Sequence, residues 1–119
     1  RMTPYVSSPL LYGDTLYFLR HNQNILSRLE PTTGQPRGEP LRLEGINDFI
    51  FASPVGAAGR IYVTGRDGAT IVLRHDRENA ILAVNQLNDS FSASPAVVGG
   101  ELYLRGEHFL YCLAAPELL

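Results

Sequence analysis

The sequence predicts an all-β protein built from repeated four-stranded antiparallel sheets. Three observations carry this prediction: a Ser-Pro dipeptide that occurs three times, a tyrosine eight residues after each proline, and a glycine-containing turn signal before each tyrosine. The repeated serines and tyrosines are Ser8, Ser53, Ser94, Tyr17, Tyr62 and Tyr103. Both markers step by 45 and then by 41 residues. Self-similarity at such a period indicates units that bury their apolar faces against each other.

The first repeat predicts four short strands separated by turns. The predicted strands cover residues 6–12, 15–20, 25–29 and 41–44. Gly13-Asp14 joins the first two strands, and a polar turn at residues 22–24 joins the next two. Pro31 lacks a backbone donor and Gly34 accepts a positive φ, so this segment interrupts the ladder before the outer strand.

The second and third repeats predict the same order of strands. The predicted strands cover residues 51–55, 60–64, 69–74 and 80–87, and then 92–98, 101–105 and 109–113. Gly59-Arg60 and Gly99-Gly100 supply the turn signals before the second strands, and Asp67-Gly68 is a strong hairpin turn. The third repeat stops before a fourth strand. Residues 77–87 contain several good helix formers, but the repeat register favours a strand there.

Repeated four-stranded sheets favour a β-propeller, in which blades stack radially and cover each other's faces. Leu16–Leu19 is continuously apolar, as expected of a strand covered on both sides. We interpret residues 1–119 as one propeller segment with blades at 5–45, 49–88 and 90–115, the last without its outer strand. Because propellers close with about four to eight blades, the ring is incomplete. A self-contained β-sandwich is the alternative, although nothing in a sandwich requires a repeat.

Several segments of the chain match a known repeat. They are Leu16-Tyr17-Phe18-Leu19, Ile25–Leu29, Thr33-Gly34, Ile61-Tyr62-Val63, Gly68, Ile71-Val72-Leu73, Leu102-Tyr103-Leu104 and Leu110-Tyr111-Cys112-Leu113. This pattern resembles the pyrroloquinoline-quinone-like (PQQ-like) β-propeller repeat, of which the chain would contain about two and three-quarter blades. The chain departs from the family in having no tryptophan, and Thr-Gly is kept at its position only in the first repeat.

Composition excludes several classes of function. The 119 residues carry a formal net charge of -2, and all ten basic residues are arginine. Non-specific nucleic-acid binding requires an excess of clustered positive charge, which is absent here. No apolar run approaches the roughly 18 residues of a membrane helix. The single Cys112 excludes an internal disulfide and a cysteine-rich zinc site.

The sequence predicts no catalytic, cofactor-binding or metal-binding residues. The three histidines lack metal-ligand spacing, and Ser8, Ser53 and Ser94 recur with the repeat, which indicates a structural role. The candidate binding residues lie instead on the predicted hairpins after each second strand. They are Arg20, His21, Arg66, Asp67, Arg105 and His108.

We therefore expect a non-catalytic propeller scaffold that binds a protein or ligand through its loop faces. Its expected partners are neighbouring blades of a longer chain, a second copy of itself, or an unidentified protein. The family resemblance implies a location outside the cytoplasm, as in bacterial propellers of this type, which include a lipoprotein of outer-membrane barrel assembly. It also implies an alternative, a fragment of a quinoprotein dehydrogenase or of a larger enzyme or receptor. The quinone pocket of those dehydrogenases uses a tryptophan and an adjacent cysteine pair, which this chain lacks.

Overall fold

A computed structural model describes residues 3–20 and 23–115. These residues form three antiparallel sheets and contain no helix, so the predicted all-β class is confirmed. The first sheet has the order β1-β2-β3-β4, with β1 Leu10–Tyr12, β2 Thr15–Leu19, β3 Ile25–Leu29 and β4 Leu41–Arg42. The second has the order β5-β6-β7-β8, with β5 Val55–Ala57, β6 Arg60–Thr64, β7 Ala69–Arg74 and β8 Ile81–Gln86. The third contains β9 Ala96–Val98, β10 Glu101–Arg105 and β11 Leu110–Ala114.

The repeated tyrosines occupy one register. Tyr17, Tyr62 and Tyr103 lie on the second strand of their sheets, and each pairs with the residue directly after the repeated proline. The three sheets are therefore copies of one unit. Residues 77–87 contain a strand rather than a helix, as the repeat register predicts.

The first strand of each sheet begins later than predicted. It starts directly after the repeated proline, because Pro9, Pro54 and Pro95 have no N–H to contribute to a ladder. The serine before the proline is engaged elsewhere: the Ser8 N–H donates to Ser53 Oγ of the next repeat at 2.8 Å. The predicted strands 6–12, 51–55 and 92–98 were therefore placed too early.

The turn between β5 and β6 is one residue away from its predicted place. Ala58 and Gly59 form it, with φ of 51° and 75°, and Arg60 already belongs to β6. Positive φ at both central residues gives a two-residue turn whose twist matches the flanking strands. Ala58 occupies the position that glycine holds in the other two repeats, at Gly13 and Gly99.

The main core lies between the first and second sheets. Because side chains alternate along a strand, Tyr17, Leu19 and Leu26 share one face of the first sheet. They form a single buried cluster with the facing residues of the second sheet, Ile61, Val63, Ile71 and Leu73. Full burial of each such side chain contributes about 1.5–3 kcal/mol. This core fixes the position of the second sheet against the first.

The third sheet leaves one face open. The face that carries the repeated tyrosine, which we call the tyrosine face, holds Tyr103, Glu101 and Arg105 of β10 together with residues of β9 and β11. Val98 on this face is 63% exposed, and Cys112 also lies on it. The corresponding face of the first sheet is covered by the second sheet. The third strand of this sheet, β11, has no partner on its far side among the described residues, and Leu110 on it is 72% exposed. The sheets therefore form an arc and do not close into a ring.

Candidate functional site

The predicted binding loops lie at one end of the sheets. In an up-and-down sheet the hairpin between the second and third strands shares an end with the connection that leads into the same sheet. The Arg66 N–H donates to the Phe49 carbonyl at 3.0 Å, and the Glu107 N–H donates to the Ser90 carbonyl at 2.9 Å. Each hairpin is thus tied to the connection before its own sheet, and these segments form what we call the loop end.

The hairpin of the first sheet is described only in part, because His21 lies outside the described residues. Arg20 directly follows β2, and its N–H donates to the Ile25 carbonyl at 3.0 Å. Its Nε lies 3.3 Å from Ser27 Oγ, to which it donates. Arg20 therefore contacts its own sheet.

Arg66 and Asp67 of the second hairpin are engaged within the protein. The Arg66 guanidinium lies 5.1 Å from the ring centroid of Phe51, a cation–π contact. Asp67 accepts hydrogen bonds from the Asn47 N–H at 2.8 Å and from the Ala69 N–H at 3.2 Å. A carboxylate held in this way organises the loop, whereas a ligand would have to compete with these donors.

The third hairpin is held by a carboxylate that the sequence analysis did not single out. The Asp89 side chain is fully buried and accepts from Ser90 N–H, His108 N–H, Phe109 N–H and the Tyr111 hydroxyl. The His108 ring adds a contact of 3.0 Å through Nδ1. Burial raises the pKa of Asp89, but these donors outweigh it and hold that pKa below its usual range. The hydrogen bond and charge of Asp89 in turn raise the pKa of His108.

Two glycines at equivalent positions of the second and third repeats could have predicted this arrangement from the sequence. Gly65 and Gly106 are 41 residues apart and begin the two hairpins. A Cβ on Gly106 would lie 2.2 Å from an Asp89 oxygen, and one on Gly65 would lie 2.3 Å from Ile46. Each hairpin therefore needs glycine at this position, because the connection before its sheet lies too close to leave room for a Cβ. Arg105, by contrast, ends β10 with an exposed side chain.

A second group of polar residues meets at the opposite end of the sheets, which we call the turn end. A cleft of about 630 Å³ opens there between the β1–β2 turn and the β3–β4 loop of the first sheet and the β7–β8 loop of the second. The cleft is lined by Asp14, Thr15, Arg28, Arg37, Gly38, His75, Asp76, Arg77 and Asn79. None of these is among the predicted binding residues.

Arg28 lies at the base of this group and is only 7% exposed. It pairs with Tyr17 across the ladder, at the position where the later sheets carry Val72 and Cys112. Its Nη1 donates to the Arg77 carbonyl at 2.9 Å and to Asn79 Oδ1 at 2.8 Å. A charged residue at an apolar position of a repeat is the sequence signal that could have revealed this site.

The hydroxyl of Tyr17 lies between Asn79, which accepts a hydrogen bond from Arg28, and His75. Its hydroxyl accepts from Asn79 Nδ2 at 3.0 Å and lies 2.7 Å from His75 Nδ1. Burial raises the pKa of Tyr17, although the Asn79 hydrogen bond works in the other direction. Asp14 lies 3.6 Å from the other ring nitrogen of His75, and a hydrogen bond from Thr15 lowers the pKa of Asp14. The residues connect the first sheet to the β7–β8 loop of the second.

The described residues contain neither a group of three or more His, Cys, Asp or Glu side chains that could hold a metal ion nor a helix that could cross a membrane.

Two solved structures superpose on most of this chain. The crystal structure of BamB from Moraxella catarrhalis superposes with a TM-score of 0.68 at 19% sequence identity, over 89% of this chain and 32% of that one. A europium-containing methanol dehydrogenase superposes with a TM-score of 0.66 at 17% identity, over 89% of this chain and 22% of that one. Both are PQQ-like β-propeller proteins. This chain has a β-propeller fold.

The predicted PQQ-like propeller architecture with an incomplete ring is thereby confirmed at the level of the fold. This propeller segment spans less than a third of either chain to which it is similar. No family model matches the chain, and no curated protein matches it either.

Proposed function

We propose that this propeller segment is a non-catalytic scaffold whose open faces are covered by further blades of the same type and whose loop end binds a partner. The observation that carries the proposal is a ladder of serines. Ser8 N–H donates to Ser53 Oγ, and Ser53 N–H donates to Ser94 Oγ at 2.9 Å. No described residue accepts from Ser94 N–H. The next member of the ladder would be a hydroxyl of another Ser-Pro repeat.

The open face beside Ser94 supports the same proposal. The tyrosine faces combine apolar with charged side chains, Arg28 in the first sheet and Glu101 and Arg105 in the third, and that of the first sheet is covered by the second. The tyrosine face of the third sheet has no such cover among the described residues, and its exposed apolar side chains, Val98 and Leu110, favour association with another surface. A sheet with the same register is the partner that would repeat the contact already formed between the first two.

The edge of β11 supports an added strand. In the first and second sheets the third strand pairs with β4 or β8, respectively. In the third sheet no described residue pairs with the outer edge of β11, which has no charged residue between Leu110 and Ala114. Exposed edges of this kind associate readily with other strands. Of the blades 5–45, 49–88 and 90–115, the last would then gain its missing outer strand from outside residue 115 or from another copy.

The covering blades come either from a longer polypeptide or from a second copy. In the second case, two copies in head-to-tail contact give a ring of about six blades, which lies within the range of closed propellers. Residues 1–5, of which residues 1 and 2 lie outside the described residues, would supply the outer strand in that assembly. Both arrangements cover the same face, so one accessibility experiment tests the proposal.

The single cysteine reports on that face. Cys112 lies on β11 and is exposed within this chain. If a further blade covers the tyrosine face, the Cys112 thiol of the native protein will react with a maleimide at least about tenfold more slowly than in denaturant. The matched control is the Glu107→Cys variant in a Cys112→Ser background, because residue 107 is exposed on the loop end. Reaction of native Cys112 at the rate of that control would refute the proposal.

Binding through the loop end is tested separately. Arg105 and His108 are its exposed cationic residues on the third hairpin, and Arg105→Glu should weaken capture of a partner from a bacterial envelope extract. The matched control is Arg77→Glu, which makes the same charge change at the turn end. Equal capture by both variants would place the binding surface elsewhere.

A fragment of a quinoprotein dehydrogenase is the second candidate. The fold similarity to a methanol dehydrogenase favours it. Addition of pyrroloquinoline quinone and calcium would then shift the absorbance of the quinone, whereas a scaffold leaves that spectrum unchanged.

A further inference from the structure

We propose that the cleft at the turn end binds a small anion, a phosphate or carboxylate group, between the first and second sheets. The observation that carries this inference is Arg28, a buried guanidinium that faces the cleft without a carboxylate partner. It is independent of whether further blades cover the open face.

A buried charge is costly unless it is paired or fully hydrogen-bonded. Arg28 donates only to uncharged acceptors: the Arg77 carbonyl, Asn79 Oδ1 and, at 2.5 Å, the Glu39 carbonyl. No carboxylate of the described residues lies within ion-pair distance of it. Of its five N–H groups, these bonds use three, and Nε has no acceptor among the described residues.

The two carboxylates that line the cleft are already engaged. Asp14 lies 3.2 Å from Arg37 Nη1 and 3.6 Å from His75 Nε2. Asp76 accepts from the Glu78 N–H at 3.0 Å and from the Asn79 N–H at 2.7 Å. Neither therefore compensates the charge of Arg28.

The walls of the cleft add positive charge. Arg37 and Arg77 line it together with Arg28, so the lining contains three arginines and two aspartates, and Arg37 pairs with Asp14 at 3.2 Å and with Glu30 at 3.9 Å. The Nε of Arg37 is also buried without an acceptor among the described residues. Arginine is the side chain best suited to carboxylate and phosphate groups, because its planar donors match two oxygens at once. A volume of about 630 Å³ is ordinary for a small-molecule site.

The position of the cleft gives the ligand a structural consequence. Arg28 and Arg37 belong to the first sheet, whereas Arg77 and Asn79 belong to the loop after β7 in the second. An anion held between them bridges two blades. Binding should therefore stabilise the packing of the first sheet against the second, since a ligand that binds only the folded state raises the unfolding temperature.

The experiment measures heat of binding and unfolding temperature for the protein in its native assembly. Sodium phosphate and sodium succinate are titrated separately, against sodium chloride at equal ionic strength. We expect saturable binding of one anion per chain and a higher unfolding temperature with phosphate, succinate or both, and no such effect with chloride. Phosphate alone indicates a phosphoryl ligand, and succinate alone indicates a carboxylate ligand.

Three variants make the test specific. Arg28→Gln keeps two donors but removes the charge, and Arg37→Gln changes a residue at the wall that is more accessible. Each should weaken binding by at least about tenfold. Arg42→Gln, on β4 at the loop end, makes the same charge change away from the cleft and should bind as the unaltered protein does. If Arg28→Gln does not fold, Arg37→Gln against Arg42→Gln still decides the question.

Two results would overturn the proposal. One is the absence of saturable binding by either anion up to about 10 mM, a range in which even weak sites fill. The other is binding that Arg28→Gln and Arg37→Gln leave unchanged, which would mean that the anion lies elsewhere on the protein.

Discussion

The hydroxyl oxygen of Ser53 lies 2.8 Å from the backbone nitrogen of Ser8 and accepts its hydrogen bond across the junction of two sheets. Ser94 Oγ accepts in the same way from Ser53 N–H at 2.9 Å. Each first strand begins directly after the proline, so the dipeptide precedes a sheet, and the serines of the second and third repeats tie their sheets to the preceding ones. The repeated Ser-Pro is therefore a contact between blades rather than part of a strand.

Removal of these hydroxyls should weaken the stacking of the sheets. Ser53→Ala and Ser94→Ala each leave a backbone N–H without its acceptor, and we expect each to lower the free energy of unfolding by about 0.5–1.5 kcal/mol. Chemical denaturation measures the loss. Ser92→Ala is the matched control because Ser92 is exposed and outside the ladder, and it should change stability little. Equal effects of all three substitutions would show that the hydrogen bonds between the serines do not stabilise the stacking of the sheets.

Tyr17 and Tyr62 hold the same register position but should respond differently to loss of the hydroxyl. Tyr17→Phe removes the acceptor of Asn79 Nδ2 and the contact with His75, all within a buried region. We expect a loss of about 1–3 kcal/mol, because one N–H of the buried Asn79 amide loses its acceptor while the bond of that amide to the Arg74 carbonyl remains. Tyr62→Phe, whose hydroxyl has no such bonds among the described residues, should be close to neutral. Thermal unfolding of both variants provides the comparison, and a neutral Tyr17→Phe would contradict it.

Ala58 is a position where substitution should raise stability. Its φ of 51° lies in the left-handed region, which costs a residue with a Cβ about 1–2 kcal/mol. Ala58→Gly removes that cost and adds the entropy of a glycine in the unfolded chain, for a net gain of about 0.5–1 kcal/mol. Ala57→Gly, one residue earlier on β5, is the control and should destabilise by a similar amount. Denaturant midpoints distinguish the two signs.

The contact between Asp89 and His108 predicts a defined pH window. Asp89 has a lowered pKa in the folded state, so its contribution exists above its ordinary value of about 3.9 and is lost as the pH falls through the folded value. His108 has a raised pKa, so its contribution is complete below about 6.5 and declines as the pH rises through the folded value. Both contributions are therefore present between about pH 4 and 6.5.

The variants His108→Gln and Asp89→Asn test that window. The unfolding temperature of His108→Gln should lie furthest below that of the unaltered protein near pH 5.5 and approach it near pH 9. The deficit of Asp89→Asn should shrink progressively as the pH falls below about 4. A deficit for His108→Gln that grows with pH would show the opposite linkage and contradict the assignment.

The repeat and the middle strands could be predicted from the sequence because their information is local. Tyr17, Tyr62 and Tyr103 mark a strand in every copy, and Gly68 in the hairpin requires a backbone that only glycine adopts easily, with φ of 91°. The start of each first strand could not be predicted, since Ser8 donates to a serine 45 residues away. Secondary-structure propensity within one repeat carries no information about a hydrogen bond to another repeat.

The sites depended even more on distant contacts. Asp67 was predicted as a binding residue of its hairpin, but its carboxylate accepts the N–H of Asn47, 20 residues before it. Arg28, which lies within the predicted strand 25–29, was not singled out by the sequence analysis. Its burial depends on Arg77 and Asn79 in the next sheet, about 50 residues later in the chain. Polar residues acquire their role from the neighbouring blade, which a reading within one repeat does not include.

The mass of the native protein tests the central claim most directly. The tyrosine face of the first sheet is covered by the second sheet, whereas that of the third sheet is open among the described residues. We therefore expect that three sheets with this open face do not remain monomeric in solution. Light scattering on the 119-residue chain at micromolar concentration should therefore give a mass well above 13.1 kDa. A monodisperse, folded species of 13.1 kDa would contradict the proposal that further blades complete this structure.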